Sequence, residues 1–186
     1  ICRVEVPFRI VKTCSFTSTG ITLRITEADV PSRTVLRFDD RPAVEAYAEA
    51  VGVPVASVDT AVMMRHPLGQ MINGQPWIRS PQALVAGGGI RFYAQILPGM
   101  EVEVMEATDL VAETRAALHE AHRALHGYVS GGVMFNCILR RLEMDATGTA
   151  QPFLEAFGGL PLAGFHTYGE TWMAHVNQTL TGVVFG

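Results

Sequence analysis

The alternation of apolar and polar positions divides the chain into short strands and a few helices. Strand-like segments occur over 7–14 and 20–26, and in the second of them apolar and polar residues strictly alternate. The region 63–106 also has an antiparallel pattern: it contains Asn73-Gly74, a strong signal for a tight hairpin turn, and a strand with a clean period of two over 101–105. These patterns predict sheets that are largely antiparallel.

Helical periodicity is confined to three segments. It is clearest over 109–126, and shorter versions occur over 43–51 and 151–157. Apolar runs over 128–136 and 160–165 flank the last of these helices, which is typical of a right-handed parallel crossover. We therefore predict an α/β fold, α+β in the broad sense: a mixed, largely antiparallel sheet with three helices packed on it. A layered two-sheet sandwich is the alternative.

Charge and composition exclude some classes of function. The 186 residues carry a net charge of −4 with only 14 Lys and Arg, and no basic stripe for a nucleic acid is visible. No segment approaches the roughly 18 apolar residues that a membrane-spanning helix needs. Three scattered cysteines argue against a disulfide framework and favour a cytoplasmic, reducing setting.

The apolar content of 48% and the mean hydropathy of +0.22 are high for a free-standing domain. Either the core is large, or an apolar face is covered by dimerisation or by a missing partner. The chain begins at Ile1 rather than Met. We therefore expect a piece of a longer protein.

Polar side chains follow two apolar strands near the end of the chain. We expect the two strand ends to lie at the same edge of a sheet, where ligands commonly bind. The predicted ligand-binding residues are Asn136, Cys137 and Arg140 after the first strand, and His166, Thr167, Gly169 and Glu170 after the second.

The residue types at these strand ends suit a free amino acid. Arg140 offers a planar fork for a carboxylate, with Arg141 as the alternative, and Glu170 offers a partner for an ammonium group. Thr167 adds a hydroxyl, and Gly169 allows close approach of the backbone. The competing interpretation is that Arg140 and Glu170 simply pair with each other and tie two loops together.

Two other functions stay open. Cys137 is a candidate nucleophile of a hydrolase or amidase, with His166 as base and Glu170 orienting it, but no glycine-rich turn follows to supply oxyanion donors. A scaffold for protein association would explain the apolar composition. We expect no enzyme activity, no cofactor and no metal; the histidines at 119, 122 and 126 indicate a solvated helix edge.

Several motifs together resemble one known family. The blocks at 132–140 and 160–170 and the closing segment 178–183 are similar to the C-terminal FIST domain (F-box and intracellular signal transduction proteins), as are turns around Pro67-Leu68-Gly69 and Pro98-Gly99. The resemblance predicts a C-terminal FIST domain over residues 41–186, and the tail of an N-terminal FIST domain over 1–40.

The resemblance implies a cytoplasmic sensory module of a signal transduction protein. Such domains are joined to a signalling output domain or act on a partner protein, and small ligands, with amino acids proposed, are expected to bind them. The chain departs from the family pattern at two positions: Thr171 follows Glu170 in place of Ile, and Asn136 stands where Ser or Asp is more common. Both changes are expected to alter ligand preference.

Overall fold

The computed structural model describes residues 3–186, so Cys2 lies outside the described residues. Contacts divide the chain into two compact units. We call residues up to Ser15 together with Asp109–Gly186 the cavity unit, and Phe16–Thr108 the large-sheet unit. No helix within residues 3–186 is long and apolar enough to cross a bilayer.

The described residues form fourteen strands and five α-helices. The strands are β1 (Phe8–Cys14), β2 (Phe16–Asp29), β3 (Thr34–Phe38), β4 (Arg41–Pro42), β5 (Leu68–Ile72), β6 (Gln75–Arg79), β7 (Pro81–Val85), β8 (Gly89–Phe92), β9 (Glu101–Ala107), β10 (Gly131–Cys137), β11 (Leu162–Thr167), β12 (Glu170–Trp172), β13 (Ala174–Val176) and β14 (Thr179–Phe185). The helices are α1 (Ala43–Ala50), α2 (Thr60–Arg65), α3 (Leu110–Ala124), α4 (Ile138–Thr147) and α5 (Ala150–Glu155).

The large-sheet unit is built on one eight-stranded antiparallel sheet. Its strand order is β6-β5-β9-β2-β3-β8-β7, and β4 pairs with β3. The predicted hairpin turn joins β5 to β6, with φ of 52° at Asn73 and 74° at Gly74, as a two-residue turn with left-handed residues requires. Helix α1 packs its apolar face on this sheet around the fully buried Tyr47 and Phe38.

The cavity unit contains a four-stranded sheet of order β1-β14-β10-β11 and a small β12-β13 hairpin. Strands β10 and β11 are parallel, with Gly132 opposite Leu162 and Cys137 opposite Thr167. The predicted side-by-side arrangement of these two strands is therefore confirmed. The other pairs in the sheet are antiparallel.

The two faces of this sheet differ, because side chains alternate along each strand. On one face, which we call the helical face, Val11, Met134 and Leu180 pack with Leu118 of α3. The opposite face carries Cys137, Thr167 and Thr179, whose positions are adjacent in the strand register.

The predicted fold class is confirmed: the structure is mixed α+β with largely antiparallel sheets and helices packed on them. The three predicted helices correspond to α1, α3 and α5, and Asp109 caps α3 by accepting from the backbone N–H groups of Val111 and Ala112. Helix α4 was predicted as a loop. It begins directly after β10, and Gly148 ends it in the left-handed conformation with φ of 70°.

The first described strand belongs to the cavity unit, since β1 pairs with β14 along its whole length. The two compact units are defined by contacts, whereas the boundary predicted near residue 41 separates two family domains, so the units do not test that boundary. That boundary stays a prediction.

Candidate ligand-binding site

A cavity of about 530 Å³ lies on the helical face of β10 and β11, beside α5. Its size falls in the range typical of small-molecule sites, about 300–1,000 Å³. Asn136 and His166 are the polar side chains in its wall. The rest of the wall is apolar or glycine: Met134, Phe153, Leu154, Phe157, Leu160, Leu162, Ala163, Gly164, Phe165 and Leu180.

Glycine at position 164 is required where β11 passes β10. A Cβ atom there would lie 2.1 Å from the carbonyl oxygen of Met134, a distance that no side chain permits. Gly182 is tight against the same residue, with a Cβ 2.3 Å from the Met134 sulfur. The glycines therefore let the strands pass closely beneath the cavity.

A relay of hydrogen bonds forms the polar end of the cavity. Arg140 Nε donates to Asn136 Oδ1 at 2.9 Å, and Asn136 Nδ2 lies 3.0 Å from His166 Nδ1. Arginine can only donate, so the amide oxygen of Asn136 must face it and the amide nitrogen must face the histidine. His166 Nδ1 is then the acceptor, and the neutral ring carries its proton on Nε2.

Arg140 is held behind this end rather than in the wall. It is 0% exposed, and its remaining nitrogens donate to Ser15 Oγ at 3.3 Å and Thr114 Oγ1 at 2.9 Å. All three acceptors are neutral. Helix α4 follows β10 without a break, which places Arg140 one turn beyond Asn136.

The charge of Arg140 is only weakly compensated. Burial lowers the pKa of Arg140 to about 10, against smaller opposing effects of its surroundings, which include the Glu143 and Glu170 carboxylates, so the guanidinium stays charged at neutral pH. Burial in turn raises the pKa of Glu143, and one of its carboxylate oxygens is buried without a hydrogen bond. Glu143 does not line the cavity.

Glu170 belongs to a separate cluster on the opposite face of the sheet. Its carboxylate accepts from the hydroxyls of Thr167 and Thr179, the latter at 2.9 Å, and from the thiol of Cys137. The side chain is buried, which raises the pKa of Glu170.

Arg140 and Glu170 thus contact opposite faces of the sheet. No hydrogen bond or ion pair joins them within residues 3–186, so the predicted loop-tying pair does not form. Neither side chain lines the cavity. The expected hollow shared by the two is therefore not the cavity that the structure forms, and their direct contact with a ligand stays a prediction. Arg141, the alternative fork, is exposed and pairs with Asp145 at 2.9 Å.

Cys137 is buried, and its surroundings favour the thiol form. Burial, with the nearby Glu170 carboxylate, raises the pKa of Cys137 to about 11. Cys137 and the predicted base His166 occupy positions of opposite parity in the paired strands, so their side chains project from opposite faces.

Gly169 has a packing role. A Cβ at this position would lie 2.3 Å from the ring of His175 in the β12-β13 hairpin. Like Thr167, it does not line the cavity. Of the seven predicted ligand-binding residues, the structure therefore brings Asn136 and His166 into the cavity wall.

Sequence reasoning missed the contribution of α5 to the wall. Phe153 and Leu154 of α5 and Phe157 in the turn after it line the cavity, and the two phenylalanine rings meet edge to face at 5.2 Å. The available signal was the pair of aromatic residues four apart in the predicted helix over 151–157, because the helix of a parallel crossover must cover the sheet.

The fold and the cavity define the class as a mixed α+β domain with a site of small-molecule size. Comparison with protein families gives the particular family: the FIST C domain model matches residues 43–173, and the chain belongs to this family. The match includes β10, α5 and β11, which contribute residues to the cavity wall. It does not extend to the N-terminal FIST tail predicted for residues 1–40, which stays a prediction.

Membership in the FIST C family is consistent with a module of signal transduction. No curated protein and no protein of solved structure shows significant similarity to the chain.

Proposed function

We propose that this chain is a small-ligand-binding sensory module of a cytoplasmic signal transduction protein, and that its ligand occupies the cavity on β10 and β11. The observation that carries the proposal is a ligand-sized apolar cavity with a single polar end, where Asn136 is hydrogen-bonded to both Arg140 and His166. Preformed cavities with few, well-placed polar groups are typical of small-molecule sites.

Amino acids are the ligand class that the family resemblance implies. The wall supports an apolar side chain, and the Nε2–H of His166 suits a carboxylate. A signalling output would follow if a ligand shifts α5 against the sheet, since α5 and β11 both contribute to the wall and are joined by a short connection.

We propose that the domain does not use Cys137 as a nucleophile. A thiol whose pKa is raised to about 11 holds little thiolate at neutral pH, and thiolate is the reactive form. Its carboxylate neighbour further disfavours ionisation. Hydrolase activity is thus the weaker candidate.

A thermal-shift screen of the 186-residue chain against amino acids, other carboxylic acids and neutral metabolites tests the proposal. A ligand at 100 times its Kd adds about 2.7 kcal/mol of stability, which is seen as a higher melting temperature. Leu154→Trp, which enlarges a wall residue that is 63% exposed, should abolish the shift, whereas Leu142→Trp on α4, 46% exposed and outside the wall, should retain it. No shift with any compound would favour a scaffold for protein association.

A further inference from the structure

The ligand class can be narrowed by the chemistry of the wall. We propose that the cavity takes an apolar monocarboxylate that lacks an ammonium group, such as an aryl- or alkyl-carboxylic acid, in preference to a zwitterionic amino acid. The inference rests on the proposed function and concerns the selectivity of the same site.

The polar end of the cavity presents a donor and a nearby positive charge. Asn136 donates to His166 Nδ1, so the neutral imidazole offers Nε2–H as a donor. Behind Asn136 lies the guanidinium of Arg140, whose hydrogen-bond acceptors are all neutral. A donor backed by a buried cation favours an anionic acceptor, and such charge-assisted hydrogen bonds are about twice as strong as neutral ones.

The wall offers nothing comparable to an ammonium group. Its twelve residues include no Asp or Glu. Glu170, predicted to pair with the ammonium group, is buried against Thr167 and Thr179 on the other face of the sheet. An amino acid in the cavity would therefore find no carboxylate partner for its ammonium group in the wall, and an ammonium group that loses water there without gaining such a partner is disfavoured.

The remaining wall requires an apolar ligand body. Apolar side chains, among them Phe153 of α5, Phe157 just after it and Leu180 of β14, would contact the body of the ligand. Apolar contact supplies affinity without fixing orientation, so orientation would come from the polar end, where His166 offers its Nε2–H. A compact ligand with one carboxylate end and one apolar end matches the distribution of polar and apolar side chains in the wall.

Isothermal titration of the full 186-residue chain with three matched probes tests the inference. The probes are 3-phenylpropionate, L-phenylalanine and 3-phenylpropan-1-ol, which share a ring and chain but differ in charge. We expect 3-phenylpropionate to bind at least tenfold more tightly than either of the others. Equal or tighter binding of L-phenylalanine or of the alcohol overturns the inference while leaving the proposed function intact. If no carboxylate, amino acid or neutral compound of the full screen binds, both fail.

A pair of histidine variants tests the role assigned to the polar end. His166→Phe keeps a ring but removes the Nε2–H, and His119→Phe makes the same change at an exposed position of α3 outside the wall. We expect His166→Phe to weaken 3-phenylpropionate at least tenfold and the alcohol less than threefold, with His119→Phe unchanged for both. An equal loss for the acid and the alcohol in His166→Phe would contradict recognition of the carboxylate by this ring.

Discussion

Arg140→Met tests the hydrogen-bond relay behind the cavity. Methionine fills much of the same space but removes the three donors that hold Asn136, Ser15 and Thr114. Hydrogen bonds to a charged group contribute about 1.5–3 kcal/mol each, so the three together contribute about 4.5–9 kcal/mol. Against this, burial lowers the pKa of Arg140 from 12.5 to about 10, which corresponds to a cost of about 3 kcal/mol for the charged form.

The difference leaves a net contribution of about 1–6 kcal/mol, and we expect Arg140→Met to lower the free energy of unfolding by roughly 3 kcal/mol. Urea unfolding measures this loss. The chain has two tryptophans, and Trp172 lies in the cavity unit. In a Trp77→Phe background, Trp172 fluorescence therefore reports that unit alone.

Arg141→Met is the matched control, since it removes the neighbouring arginine, which is exposed and pairs only with Asp145. Its unfolding midpoint should stay close to that of the parent. A loss below about 1 kcal/mol for Arg140→Met would refute the reasoning, because the buried charge would then be replaceable without cost.

Three further predictions concern the residues around the cavity. Burial raises the pKa of Glu170 above its ordinary value of 4.5, so the folded protein binds the carboxyl proton of Glu170 more tightly than the unfolded chain does. The melting temperature should therefore fall as pH rises from about 4.5, and Glu170→Gln should reduce that fall. A pH slope unchanged in the variant would contradict this assignment. With the other cysteines replaced by Ser, Cys137 should react with iodoacetamide at pH 7.5 more slowly than a free thiol, and a faster reaction would favour the hydrolase. Gly164→Ala should prevent folding as judged by circular dichroism, whereas Gly131→Ala, whose Cβ would be 3.8 Å from its nearest neighbour, should fold; a folded Gly164→Ala would contradict the close strand approach.

The strands and most helices followed from the sequence because their burial patterns are regular. Alternation identified β2 and β9, and the cap at Asp109 marked the start of α3. Helix α4 was missed because Arg140 occupies its buried face together with Leu139 and Met144. A buried charge breaks the apolar period on which helix prediction depends.

The candidate site was predicted in part for a related reason. The parallel pairing of β10 and β11 was correctly inferred, and it places Asn136 beside His166. The sequence reasoning did not take into account that successive side chains of a strand project from opposite faces of the sheet. Asn136 and His166 therefore lie on one face, and Cys137 and Thr167 lie on the other. The sequence also did not show that the guanidinium of Arg140 would donate hydrogen bonds to Thr114 and Ser15, because both residues are distant from it in sequence.

The most direct test of a ligand in this cavity is a nuclear Overhauser measurement on leucine-methyl-labelled protein with 3-phenylpropionate. The account predicts contacts between the ring protons of the probe and the methyl groups of Leu154, Leu162 and Leu180, which line the cavity. Contacts confined to leucines elsewhere, such as Leu36 or Leu84 of the large-sheet unit, would contradict binding in this cavity.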